Sequence, residues 1–558
     1  MNKKFLLPFF VLAALLTFSS CSNKLKPLAE EYIKAEPQPL EAIGGKVPVT
    51  INATFPAKWF NKKAVVTVTP VLRYEGGEAW GTSYTYQGEK VKGNNQVIPQ
   101  KEGANVTMKS AFTYKPEMKK SELYLTFDAK IKNKTVKLPD VKIGEGVIAT
   151  SELADAATAN AAIAADKFQR IIKEAHDANI MFLIHQAELR SKELKKDEIA
   201  DWKNLVKNAD EAPNQNVAIE ISAYASPDGG VKLNTGLAEN REKNAEKYLN
   251  RQLKKAKIEA NVDAKYTAQD WEGFQELVSK SNLQDKDLIL RVLSMYQDPE
   301  QRENEIKNIS SVYKTLADEI LPQLRRARLT ANYDIIGRSD EEINEAFDTD
   351  AKVLSVEELL YAATLTNDKA RQEAIFTKTT QLFPNDFRAY NNLGEMAFAA
   401  GDAAKAESFF KQAAAKNANA PEVNANLGLV ELVKNNVATA ESYLGKATGA
   451  NAANEALGNL YIKQGQYQRA VNAFGDARTN SAAQAQILAK DYNKAKATLQ
   501  AIQDKDAMTD YLMAIVGART NNESLVKNSI KSAIAKDASL AAKAANDREF
   551  AKFASILK

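Results

Sequence analysis

Between residues 40 and 148, apolar side chains fall at every second position. Val47, Val49, Ile51, Ala53 and Phe55 form one such run and Leu123, Leu125, Phe127, Ala129 and Ile131 another. Val106, Met108, Ser110, Phe112 and Tyr114 form a looser third. An extended chain turns successive side chains to opposite faces, so this period predicts strands with one face on a core. Gly76-Gly77, Gly88, Gly93-Asn94-Asn95 and Lys132-Asn133-Lys134 mark turns. Together they predict an antiparallel β-sandwich.

The pattern changes after residue 150. Alanine-rich residues 153–165 are expected to lead into an amphipathic helix, and Ile180-Met181-Phe182-Leu183-Ile184 reads as a buried strand. Ile199, Trp202, Leu205 and Val206 share one side of a helix over 197–209. Val217, Ile219 and Ile221 alternate in a further strand, which ends at the turn-forming run Ser226-Pro227-Asp228-Gly229-Gly230. Leu237, Arg241, Ala245 and Leu249 then recur at helical spacing. Residues 150–340 are expected to form an α/β domain.

From residue 352 the chain is helical and repetitive. Leu393-Gly394, Ala406, Phe410 and Ala413 recur as Leu427-Gly428, Ala440, Leu444 and Ala447, 34 residues on. They recur again as Leu457-Gly458, Ala470, Phe474 and Ala477, 30 residues further. Weaker units are expected near 359–376, 495–502 and 513–533. The small residues let paired helices cross closely. One pair cannot bury its apolar face alone, so stacking into a solenoid follows.

Composition narrows the function. The 75 Lys and Arg against 71 Asp and Glu leave +4, which gives no charge argument for nucleic acid. The single cysteine, Cys21, excludes an internal disulfide and a cysteine zinc site. His176 and His185 are too few and wrongly spaced for a familiar metal motif, and no phosphate loop or nucleophile elbow is present. Asp270 and Glu272 beside Trp271 form no acid–base constellation. A non-catalytic protein without metal or cofactor is expected.

Lys3 and Lys4, the short apolar run Phe5–Leu16, and Ser19-Ser20 before Cys21 resemble the signal and lipobox of bacterial lipoproteins, with Phe18 where Leu is usual. The resemblance implies cleavage after residue 20 and acyl chains on Cys21. Residues 21–39 would then be a lipidated linker, and the protein would sit on the outer membrane facing the periplasm.

The strand 217–224, its polar turn, Asn234, Leu237, Arg241, Ala245, Tyr248-Leu249, and Arg325-Arg326 opening a last strand resemble the OmpA-like domain, with a helical insertion from about 271 to 324. That family grips the charged ends of a peptidoglycan diamino acid with an aspartate and an arginine. Here Arg241 matches, Ser226 stands at the aspartate position, and Asp228 lies two residues later. Asp228 and Arg241 are therefore the candidate peptidoglycan-binding residues, with an ion pair between them as the plain alternative.

The repeat spacing over 352–558 resembles the tetratricopeptide repeat, which implies a curved solenoid that binds peptides or proteins. Arg388, Asn391, Glu395, Asn424 and Asn459 are the candidates on its concave face, since amide and guanidinium groups hydrogen-bond an extended backbone or a carboxylate. The combined expectation is a lipid-anchored envelope scaffold with protein partners. A peptidoglycan-binding anchor is the alternative.

Overall fold

In the strand Lys46–Phe55 the five alternate apolar residues all point inward, as their period dictates. The computed structural model describes residues 25–283, 285–308 and 310–556. Cys21 and the leader lie outside the described residues. Lys46–Phe55 is the centre of a three-stranded antiparallel sheet between Ile33–Glu36 and Ala104–Thr113. A second sheet of seven strands is built on Ala64–Tyr74 and Ser121–Ile131. The two enclose one core that includes Val47, Ile51, Phe55, Val66, Leu123 and Leu125.

Two expectations change here. Gln96–Ile98 pairs parallel with Tyr84–Gly88, so the sandwich is not wholly antiparallel. It also begins before residue 40, because Ile33–Glu36 is one of its strands and Leu25 and Leu28 lie in its core. Residues 25–39 are therefore part of a folded domain and not a linker.

The chain divides into two compact units. One contains the sandwich through Ala165 together with Phe376 onward; the other is Asp166–Ile375. The α/β unit thus begins and ends later than the expected 150 and 340. It also takes in the helices Asp340–Asp350 and Val356–Ala362 and most of the expected weak repeat at 359–376.

The α/β unit holds a four-stranded sheet in the order Ile171–Met181, Arg326–Ile336, Gln215–Tyr224, Asn261–Thr267. Only the last two are parallel. The helices Asp197–Glu211 and Val231–Ala256 cover one face through Ile199, Trp202, Val206, Ala245 and Leu249. The expected strand at 180–184 is displaced: Ile180 and Met181 end Ile171–Met181, while Leu183 and Ile184 are exposed beyond it. The insertion forms four helices between Trp271 and Thr315 with a core of its own around Phe274, Val278, Ile289 and Leu293.

In the first unit, residues 387–536 form five helix pairs, Phe387–Ala399 with Ala403–Lys416 being the first. The repeated glycines sit where the helices cross. A Cβ on Gly394 would stand 2.5 Å from the Phe410 ring, one on Gly428 2.6 Å from Leu444, and one on Gly458 2.5 Å from the Phe474 ring. Gly428→Ala is expected to destabilise the unit by about 1–3 kcal/mol in urea titration. Overpacking of that size outweighs the roughly 0.5–1 kcal/mol that alanine gains in helix propensity. A neutral result would mean that the crossing has slack.

Candidate binding groove

The alanine-rich residues 153–165 do not lead into the expected helix: the chain enters the strand Ile171–Met181 instead. Short 3-10 turns at Thr150–Leu153 and Ala156–Thr158 give way to extended chain. Alanine favours helix by only tenths of a kcal/mol per residue, and side chains of the helix pairs claim this backbone instead.

Asn426 accepts from the N–H of Ala162 at 2.6 Å and donates to its carbonyl at 2.8 Å. Asn392 does the same for Ala164, at 2.8 and 3.0 Å. Asn391 gives the Ala162 carbonyl a second donor at 2.9 Å, accepts from Asn426 at 2.9 Å, and donates to Asn392 at 3.2 Å. Glu455 accepts from the N–H of Asn160 at 3.1 Å, and Gln484 donates to the Thr150 carbonyl at 2.6 Å. The segment therefore runs antiparallel to the order of the repeats. One repeat step of 34 residues, from Asn392 to Asn426, matches two residues of extended chain.

Each carboxamide supplies a donor and an acceptor at a fixed spacing, which matches the N–H and C=O of one extended residue. All three asparagines are buried, and buried amides of this kind require such partners. Ala161, Ala162 and Ala164 are buried as well, so the groove takes methyl side chains there, while Ile163 is 49% exposed.

Of the residues expected to line this face, Asn391 bonds the segment, through the Ala162 carbonyl. Arg388 forms an ion pair with Asp386 at 2.7 Å. Asn424 donates to the carbonyls of Ala418 and Ala420, closing the turn before its own helix. Asn459 donates to the Glu455 carbonyl within its helix. Glu395 is partly buried on the helix Phe387–Ala399. Asn392, Asn426, Glu455 and Gln484 were missed. The signal for the first two is an asparagine directly before Leu-Gly in two successive repeats.

Where the sandwich ends, the same unit holds a buried ion cluster. Arg519 reaches Glu549 at 2.8 Å and Glu41 at 2.7 Å, and Thr150 donates to Glu549. Burial works against the Arg519 charge, but Glu549 and then Glu41 outweigh it and hold the guanidinium above its usual range. Burial pushes the Glu549 carboxyl up, with Arg519 opposing.

In the α/β unit, Arg241 and Asp228 do not pair with each other. Arg241 donates to the carbonyls of Gln186 at 3.0 Å, Tyr224 at 2.8 Å and Leu183 at 3.2 Å, and lies 5.0 Å from the Phe182 ring centre. Burial, then the like charge of Arg325, push it down to about 10, with Asp228 opposing. Asp228 is bound by Arg325 at 3.0 Å and accepts from Ser226. Beside Asp228 is a cavity of ≈ 10 Å³, lined by insertion residues including Trp271, Phe274 and Tyr313. That is room for about one water. Asp270 caps the helix Trp271–Lys280 through the Gly273 N–H and pairs with Arg326 at 2.9 Å.

Among the described residues, no group of His, Cys, Asp and Glu has metal-binding geometry, and no helix is long and apolar enough to cross a membrane.

The helix pairs resemble those of tetratricopeptide repeats in their spacing. Solved structures similar to this chain include a tetratricopeptide repeat protein from Parabacteroides merdae, at 12% identity over 39% of this chain and 90% of that one, TM-score 0.27. PilW, a type IV pilus biogenesis factor, is 18% identical over 32% of this chain and 91% of its own, TM-score 0.27. YrrB is 20% identical over 29% and 92%, TM-score 0.23. At such scores the fold assignment rests on the helix pairs themselves. No protein-family model and no curated protein matches the chain.

Proposed function

We propose that this chain is a non-catalytic scaffold of the bacterial cell envelope, tethered to the outer membrane through acyl chains on Cys21 and facing the periplasm. It engages protein partners through its helical repeats. The observation that supports a protein-binding role is the ladder of Asn392, Asn426 and Glu455, whose chemistry suits an extended polypeptide backbone. Tethering adds to such binding by confining the groove near a surface, which raises the effective concentration of partners there.

In this reading Asp166–Ile375 includes an OmpA-like domain, supported by its strand order and by the helix Val231–Ala256 carrying Asn234 and Arg241. The rival function, peptidoglycan anchoring through Asp228 and Arg241, has no observation in its favour. Both charges are occupied within the chain, and the cavity beside Asp228 is too small for a diamino acid.

The test is acyl labelling and fractionation of the full chain in cells, with photo-crosslinking from the repeats. The native protein is expected to carry labelled lipid, sediment with outer membrane and crosslink to discrete envelope proteins. Cys21→Ser is expected to lose the label and the sedimentation. An unlabelled native protein would remove the tether, and crosslinks equal to those of an unrelated secreted protein would remove the scaffold.

A further inference from the structure

We propose that the groove of the repeats is a regulated site for uncharged, small-residue peptide strands, and that residues 156–165 are its resident occupant, displaced when a partner strand binds. This rests on the scaffold reading above and adds its ligand class and its control.

Three observations carry it. First, the bonds that Asn392 and Asn426 make to the segment go to its backbone atoms alone, so nothing in them is specific to this segment. Second, the segment has no sheet partner, and its extended part is held by side chains of the repeats. A backbone kept by side-chain hydrogen bonds and by the small buried methyls of Ala156, Ala159, Ala161 and Ala162 opens locally more readily than a helix core. Third, residues 156–165 contain no charged side chain, while Asp155 and Asp166 bracket them. Buried methyls at Ala161, Ala162 and Ala164 beside exposed Ile163 define the accepted pattern: small, small, any, small.

Because the occupant belongs to the same chain, it competes at an effective concentration of roughly millimolar. A free strand therefore binds the native protein more weakly than it binds an emptied groove, by the fraction of time the groove stands open.

The experiment uses a labelled, end-capped peptide of residues 156–165 as probe. The full chain is compared with a version whose residues 156–165 are replaced by a Gly-Ser stretch. The emptied groove is expected to bind the probe at least about tenfold more tightly. Asn392→Ala with Asn426→Ala is expected to abolish that binding, and so is a probe carrying leucine at the position of Ala162. A folded Gly-Ser version that does not bind the probe overturns the proposal.

Native-state hydrogen exchange of the unaltered chain stands as an independent check should the Gly-Ser version fail to fold. The Ala162 and Ala164 amides are expected to exchange at least about a hundredfold faster than the core amide of Val430. Exchange of all three at one common rate overturns displacement, and leaves the scaffold reading to its crosslinking test.

Discussion

Arg519→Ala is expected to lower the stability of the sandwich-and-repeat unit by about 3–5 kcal/mol, the scale for breaking a buried ion pair by removing one partner. The size follows from what is left behind. The Glu549 side chain is 2% exposed, so without Arg519 its charge has only the Thr150 hydroxyl, and Glu41 loses its cation too. Urea titration monitored by helical circular dichroism measures the loss. Arg519→Met combined with Glu549→Gln removes both charges and is expected to recover most of it, since a neutral pair carries no desolvated ion. If the double variant is as unstable as Arg519→Ala, the loss came from packing and not from charge.

Arg241→Ala is expected to cost the α/β unit about 2–4 kcal/mol. Its side chain is among the largest that are fully buried, so truncation opens a void and frees three carbonyls. An unpaired buried acceptor costs about 1–3 kcal/mol, and the low end applies where water reaches the exposed turn of Leu183 and Gln186. Hydrogen exchange of the strand Gln215–Tyr224 reports the change. A peptidoglycan pull-down beside it separates the roles. Loss of retention with unchanged exchange protection would make Arg241 a ligand-binding group, against the placement seen here.

The strands of the sandwich and the pairs of the solenoid were legible because period and spacing are local. Val47 to Phe55 alternate whatever lies above them, and Leu-Gly followed by Ala, Phe or Leu, and Ala recurs because each glycine must admit the ring or branch that crosses it. Arg241 was legible as a position in a helix. Its partners were not, because the carbonyls of Leu183 and Gln186 come from a loop more than fifty residues earlier.

The alanine segment was misread for the same reason. Nothing within residues 153–165 distinguishes a helix start from an extended strand, since alanine suits both once its backbone polar groups are satisfied. The distinction lies at Asn392 and Asn426, more than two hundred residues away.

The sequence by itself determined the alternating strands of the sandwich and the paired helices of the repeats, because side-chain period and close crossings are properties of neighbouring residues. Only the tertiary structure decided what fills the groove and which charges are already matched. Those outcomes depend on which distant donor and acceptor meet, and a buried polar group takes whichever partner the fold brings within hydrogen-bonding distance.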